Sequence, residues 1–251
     1  MSNQLHLLDV RSDAVISNIS LSGLSAPIVG LYFDGVYFWG VTEDALIQFK
    51  VTGSSVHEIE SWTISSGITD FVEFTCITGD SQYFYIGYTR REVDFGPPIA
   101  LTTVKRVGRF NIKSKAFYGT VLGFNTGGSL GAYDDITHTG TSLVTVSIIS
   151  TTPKSVDYHE CKISGGALLD KVTKNEIRRC IEWSGNYHHT AGNRGKYQTM
   201  EVGTYRLIHP ASASYNLLTA RSMTLMGQRL WSPRYALNNR RHSARIAVLT
   251  T

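Results

Sequence analysis

One hairpin signal recurs along the chain, and its spacing restricts the possible folds more than any other feature. Asp34-Gly35 stands before VYFWGVT, Gly79-Asp80 before SQYFYIGYT, Gly140 before TSLVTVSI, Gly185-Asn186 before YHHTAG and Gly227-Gln228 before RLWSPRYA. In each case a residue able to take positive φ lies between two extended apolar runs, as a two-residue hairpin needs. Most marks are about 42 to 45 residues apart, room for four short strands and their turns. One interval is longer. The segment 91–106 accounts for the excess and is expected to be an inserted loop, because Gly96-Pro97-Pro98 cannot sit in a central strand.

A second hairpin follows each mark. Residues 46–64 and 107–124 read strand, polar turn, strand, and 155–169 is a looser copy. Residues 5–23 have the same shape without a first hairpin before them, so the chain opens in the middle of a repeat unit. Its C-terminal 222–237 ends with the first half of one. No window keeps a 3.6-residue period for three turns. The expectation is an all-β chain, with residues 1–251 forming a single β-propeller of five or six four-stranded blades. Strands from the N- and C-termini would close the ring and remove exposed sheet edges. The fourth repeat is expected to be irregular, because NYHHTAGNRGKYQ (186–198) is very polar for a strand.

LHLLDVRSDAVISNISLSG resembles the outer hairpin of YVTN-type propeller repeats, and FDGVYFWGV resembles the inner hairpin of many propeller families. In style the chain is similar to propellers of bacteriophage tails and nozzles. That resemblance implies a non-enzymatic structural or docking module of a virion, held by other structural proteins in a multi-subunit assembly. The alternatives are a glycan- or ligand-binding propeller and, third, an enzyme with a site in the central channel.

Charge is unevenly distributed. Residues 1–170 carry 11 Lys and Arg against 17 Asp and Glu, whereas 171–251 carry 13 against 3. The basic last third contains Arg221, Arg229, Arg234, Arg240, Arg241 and Arg245 interleaved with Trp231 and Tyr235. Arginine with aromatics is the composition of interface hot spots and of nucleic-acid contacts. At a sequence pI of about 8.9 a protein partner is favoured over nucleic acid, and these eight residues are the candidate interaction set. Apolar runs are far too short for a membrane-spanning helix. The start MSNQLHLLDVRSD has no secretory pattern, so synthesis in a reducing cytosol is expected. Cys76, Cys161 and Cys180 have no metal-ligand spacing and are expected to be buried small apolar residues.

No cofactor, metal or catalytic residue is assigned. Gly127-Gly128-Ser129-Leu130-Gly131 has the form of a nucleophile elbow but no helix pattern follows it. Asp134 and His138, four apart on a strand, share a face, and with Asp135 form the one channel-site candidate. His188 and His189 would point to opposite faces, and GNRGKY (192–197) lacks the rest of a phosphate loop. The aromatics Tyr32, Tyr37, Phe38, Trp39, Tyr83, Phe84, Tyr85 and Tyr88 are expected mainly to pack between blades, with sugar stacking as the alternative.

Overall fold

A computed structural model of the chain describes residues 3–9, 14–64, 68–94, 96, 100–122, 133–164, 166–175, 179–183, 187–191, 197–202, 207–209, 220–226 and 245–250. The described elements are all strands. They are β1 (Gln4–Asp9), β2 (Ala14–Ser20), β3 (Gly30–Phe33), β4 (Phe38–Val41), β5 (Ala45–Thr52), β6 (Ser55–Thr63), β7 (Phe71–Gly79), β8 (Tyr83–Asp94), β9 (Ala100–Asn111) and β10 (Ala116–Leu122). There follow β11 (Asp135–His138), β12 (Ser142–Thr151), β13 (Lys154–Lys162), β14 (Leu168–Lys174), β15 (Cys180–Trp183), β16 (Tyr187–Ala191), β17 (Tyr197–Glu201), β18 (Leu207–His209), β19 (Ala220–Met226) and β20 (Arg245–Thr250).

These strands form five four-stranded antiparallel sheets in a propeller-like arrangement. Sheets I to IV are the consecutive runs β3–β6, β7–β10, β11–β14 and β15–β18. Sheet V has the order β19-β20-β1-β2, with Leu5 opposite Leu249, so it draws on both ends of the chain. The first strand of each sheet packs against the first strand of the next: β3 on β7, β7 on β11, β11 on β15, β15 on β19, and β19 on β3.

A sheet covered on both faces must bury both sets of its alternating side chains, and the sequence provides apolar residues for most of them. Leu5 and Ile19 of sheet V pack with Leu31, Phe38, Ile47 and Phe49 of sheet I. Trp39 and Leu46 of sheet I meet Phe74, Phe84 and Phe110 of sheet II. Val144, Val146 and Tyr158 of sheet III meet Ile181 and Met200 of sheet IV. The three cysteines are buried free thiols within these layers, as small apolar residues would be.

The inner hairpins turn by one repeated device. Asp34 N–H donates to Tyr37 O at 3.1 Å, and the Asp34 carboxylate accepts from the N–H groups of Val36 and Tyr37, both at 2.7 Å. Asp80 does the same with Tyr83, Gln82 and its own N–H, and Thr139 takes that place before Ser142. Gly35 and Gly140 have φ of 107° and 102°, which a side chain would strain. Gly79 departs from the expected turn role. It ends β7, where a Cβ would lie 2.7 Å from the Phe84 ring and 3.0 Å from Tyr83 O, so close packing is its constraint.

Two further expectations change. Residues 91–106 are no inserted loop, because β8 and β9 continue through them in register as far as Asp94 opposite Ala100. Gly96 lies between those paired ends, and Pro97 and Pro98 lie outside the described residues. The polar 187–191 segment is a regular strand, β16, with His188, His189 and Thr190 all buried. Among the described residues β19 pairs with β20, and RLWSPRYA (229–236) lies outside them.

Candidate functional site

The first strands of the five sheets meet on the axis, and Asp135 is the polar group at their centre. It is fully buried on β11. Its Oδ2 accepts from Ile181 N–H of β15 at 3.0 Å, and its Oδ1 accepts from Ser222 Oγ of β19 at 3.1 Å. Ser222 Oγ in turn accepts from Leu31 N–H of β3 at 3.1 Å. One carboxylate thus ties four sheets together. The same pattern repeats two residues on: Thr137 Oγ1 accepts from Trp183 N–H and donates to Glu182, while Thr224 Oγ1 accepts from Phe33 N–H. The fifth sheet closes the gap by contact, since Gly30 abuts the Cys76 backbone.

Electrostatics follow from this burial. Desolvation pushes the Asp135 carboxyl well above the usual carboxylate range, with the Glu182 charge adding to the rise against the N–H and Ser222 hydrogen bonds. The Cys76 thiol is also pushed up, first by burial and then by Asp135. A raised thiol pKa suppresses the thiolate and with it nucleophilic character. The axis is therefore a bonded polar core whose groups are used in holding strands to strands. Replacing Asp135 by Ala should strand the Ile181 N–H and cost roughly 2–3 kcal/mol in urea melts. Asp135→Asn keeps acceptor and shape without the charge and should be at least as stable as the parent at pH 7.5. An unchanged midpoint in Asp135→Ala would show that the carboxylate does not hold the axis.

The three residues expected to form a channel site go separate ways. Asp134 Oδ2 accepts from Ile148 N–H at 2.8 Å and its Oδ1 lies 3.6 Å from Arg179. Asp135 is axial. His138 stacks on Tyr85 at 5.5 Å, and its Nε2 is 3.7 Å from Asp80 Oδ2, which also accepts from Tyr85 OH. His138 Nδ1 accepts from Gly140 N–H, which leaves Nε2 to carry the proton toward Asp80. This Asp–Tyr–His group links sheets II and III at their inner turns. Sequence reasoning missed it because Asp80 and His138 are far apart in the chain, although Asp34 with Trp39 Nε1, at 2.7 Å, repeats half of it.

Of the aromatic set, Tyr32, Phe38, Trp39, Phe84, Tyr85 and Tyr88 are buried among the sheets, and Tyr37 and Tyr83 are partly buried. Their role is packing. His188 and His189 are buried, and among the described residues no three His, Cys, Asp or Glu side chains are grouped to hold a metal. Among the described residues no helix is long and apolar enough to cross a membrane. Of the basic set, Arg221 lies on β19 and Arg245 opens β20, opposite Met226 and Asp9. Arg229, Trp231, Arg234, Tyr235, Arg240 and Arg241 lie outside the described residues, as do residues 127–131 and 192–196.

The prominent feature that sequence reasoning misread is the β8–β9 ribbon. Ladder pairing with β7 stops at Arg90, followed by one bond from Arg91 N–H to Asp70 O at 2.8 Å, and pairing with β10 stops at Val107; beyond those points, among the described residues, the two strands pair with each other. Val93 and Leu101 stand opposite one another near the tip, 48% and 63% exposed. The base is braced. Glu92 accepts from Arg90 Nε at 2.7 Å and from Arg106 Nη2 at 2.7 and 2.8 Å. Burial would raise the Glu92 carboxyl, but the hydrogen bonds and charges of Arg90 and Arg106 outweigh it and hold the group below its ordinary range.

No protein-family model matches the chain, and no curated protein matches it in sequence. Among solved structures it is similar to Myxococcus xanthus glutaminyl cyclase, with 11% identity over 90% of this chain and 91% of that one, at a TM-score of 0.52. It also matches a chain of a mitotic checkpoint complex, with 11% identity over 81% of this chain and 54% of that one, at a TM-score of 0.45. A third match is the designed protein Ika4, with 12% identity over 74% and 97%, at a TM-score of 0.42. At these identities the glutaminyl cyclase likeness speaks for the fold alone.

Proposed function

We propose that the chain is a docking module of a multi-subunit assembly, a closed five-bladed ring that holds the β8–β9 arm out to another structural protein. The carrying observation is the arm itself. A two-stranded ribbon that leaves its sheet has little stability of its own, yet here three charged side chains brace its base while two large apolar side chains near its tip face solvent. Exposed apolar side chains on a braced projection suit insertion into a partner's groove. The axis supports the same reading, because Asp135, Thr137, Ser222 and Thr224 are engaged between strands.

The basic last third, from Arg221 to Arg245, is proposed as a second contact for an acidic partner surface. A bacteriophage tail as the assembly is the finer reading, and it rests on resemblance of style. Both readings share a test. The parent chain should sediment with its partners in a stoichiometric complex, whereas Val93→Asp with Leu101→Asp should fold normally and sediment alone. Neutralising Arg240, Arg241 and Arg245 should weaken the complex to a lesser degree. A parent that sediments only as a monomer in the presence of its source's structural proteins would overturn the docking role.

A further inference from the structure

The seam between sheets II and III differs from the others. Along the strands one stretch of it is apolar, with Cys76, Tyr85, Val107, Leu143 and Cys161, but the next stretch is polar and buried. From β9 comes Lys105, only 3% exposed, with Thr89 as its cross-strand pair on β8. From sheet III come Thr145 and Ser147, two apart on one face of β12 and both fully buried. The Lys105 ammonium donates to Ser147 Oγ at 3.1 Å and lies 5.0 Å from the ring centre of Tyr133.

Donors and acceptors do not balance here. An ammonium has three donors, and Lys105 uses one on Ser147. The hydroxyls of Thr89, Thr145 and Tyr133 are buried and have no hydrogen-bond partner among the described residues. The nearby carboxylates are engaged elsewhere: Asp157 with Lys171 at 2.9 Å and Thr173 at 2.6 Å, and Asp134 with Ile148 N–H and Arg179. A buried cation without a counter-ion is costly, and an unpaired buried hydroxyl adds to the cost. Burial pulls the Lys105 amine down, while Asp134 and Asp157 favour its charged form. A guest that only accepts would take the two remaining ammonium donors and the hydroxyl donors together.

We propose that this seam holds a small monovalent anion of the halide type, bound by the Lys105 ammonium and the hydroxyls of Thr89 and Thr145, clamping sheet II to sheet III. The probe is bromide. Thermal melting in sodium bromide should exceed that in sodium gluconate at equal ionic strength by about 3–5 °C near tenfold saturation, since a bound anion stabilises only the folded chain and gluconate is too large to enter. The difference should vanish in Lys105→Met. Thr145→Val, nearly equal in shape, keeps the fold measurable if the lysine variant does not fold, and should reduce the difference by at least half. Anomalous scattering from bromide-grown crystals should place the ion between Lys105 and Thr145. Equal melting in the two salts, an undiminished difference in the variants, or bromide found only elsewhere would each overturn the site. None of these outcomes bears on the arm.

Discussion

Acidification from pH 7.5 to 5 should destabilise the Asp135→Asn protein by roughly 4 kcal/mol through two histidines alone. His188 and His189 are buried on β16, and burial pulls their imidazoles down to about 3 and about 4. As pH falls through about 6.5 the unfolded chain takes up a proton on each ring, whereas the folded chain does not until it reaches those depressed values. Their contribution is therefore present above pH 6.5 and is lost as pH falls below it. His159 is also pulled down by burial and adds in the same direction. Asp135 works the opposite way. Its raised pKa makes the folded chain hold a proton that the unfolded chain loses above about pH 4, so acid restores stability through that group. In the parent the two effects partly cancel, and Asp135→Asn exposes the histidine part. Urea melts at the two pH values read the difference, and His189→Gln in that background should remove about half of the two-histidine part. Equal stability of Asp135→Asn at both pH values would mean that these imidazoles are not neutral and buried.

Those histidines also show why part of the fold was legible in the sequence and part was not. The hairpin marks and outer hairpins are local signals, each carried by a turn residue within a few positions of its strands, and Asp34, Asp80 and Gly140 lie where the spacing places turns. That the chain opens in the middle of a blade was readable in the same way, and Leu5 indeed pairs with the strand that ends the chain. Polarity misled where burial is set by neighbouring sheets. The segment 186–198 reads as too polar for a regular strand because nothing within it reveals that His188 and His189 are buried. The arm was misread for the reverse reason. A Gly-Pro-Pro run is a sound mark against a central strand, but the residues flanking it, up to Asp94 and from Ala100, pair in register as the ribbon. The axial bonds of Asp135 join residues 46 and 87 positions apart, a distance at which no short motif can register.

Gly30→Ala should destabilise the ring by about 2–4 kcal/mol, more than any surface change on the same strand. A Cβ on Gly30 would lie 2.8 Å from Cys76 Cα and 3.0 Å from both Cys76 C and Ile77 N. All three atoms are backbone, so no side-chain rotation can make room. Displacing β3 outward offers no relief either. Its other side is bonded to β19 through Leu31 N–H to Ser222 and Phe33 N–H to Thr224, and the Ser222 hydroxyl is tied in turn to Asp135. An added methyl therefore has to be accommodated by opening β3 from β7 or β3 from β19, and either breaks contacts between first strands. Gly119→Ala serves as the control, because a Cβ there meets nothing within 4 Å, and it should be neutral or slightly stabilising. Urea melts of the two variants separate close packing from a general intolerance of alanine in strands. If Gly30→Ala melts within about 0.5 kcal/mol of the parent, the first strands have room between them, and the axis is open enough to admit a ligand.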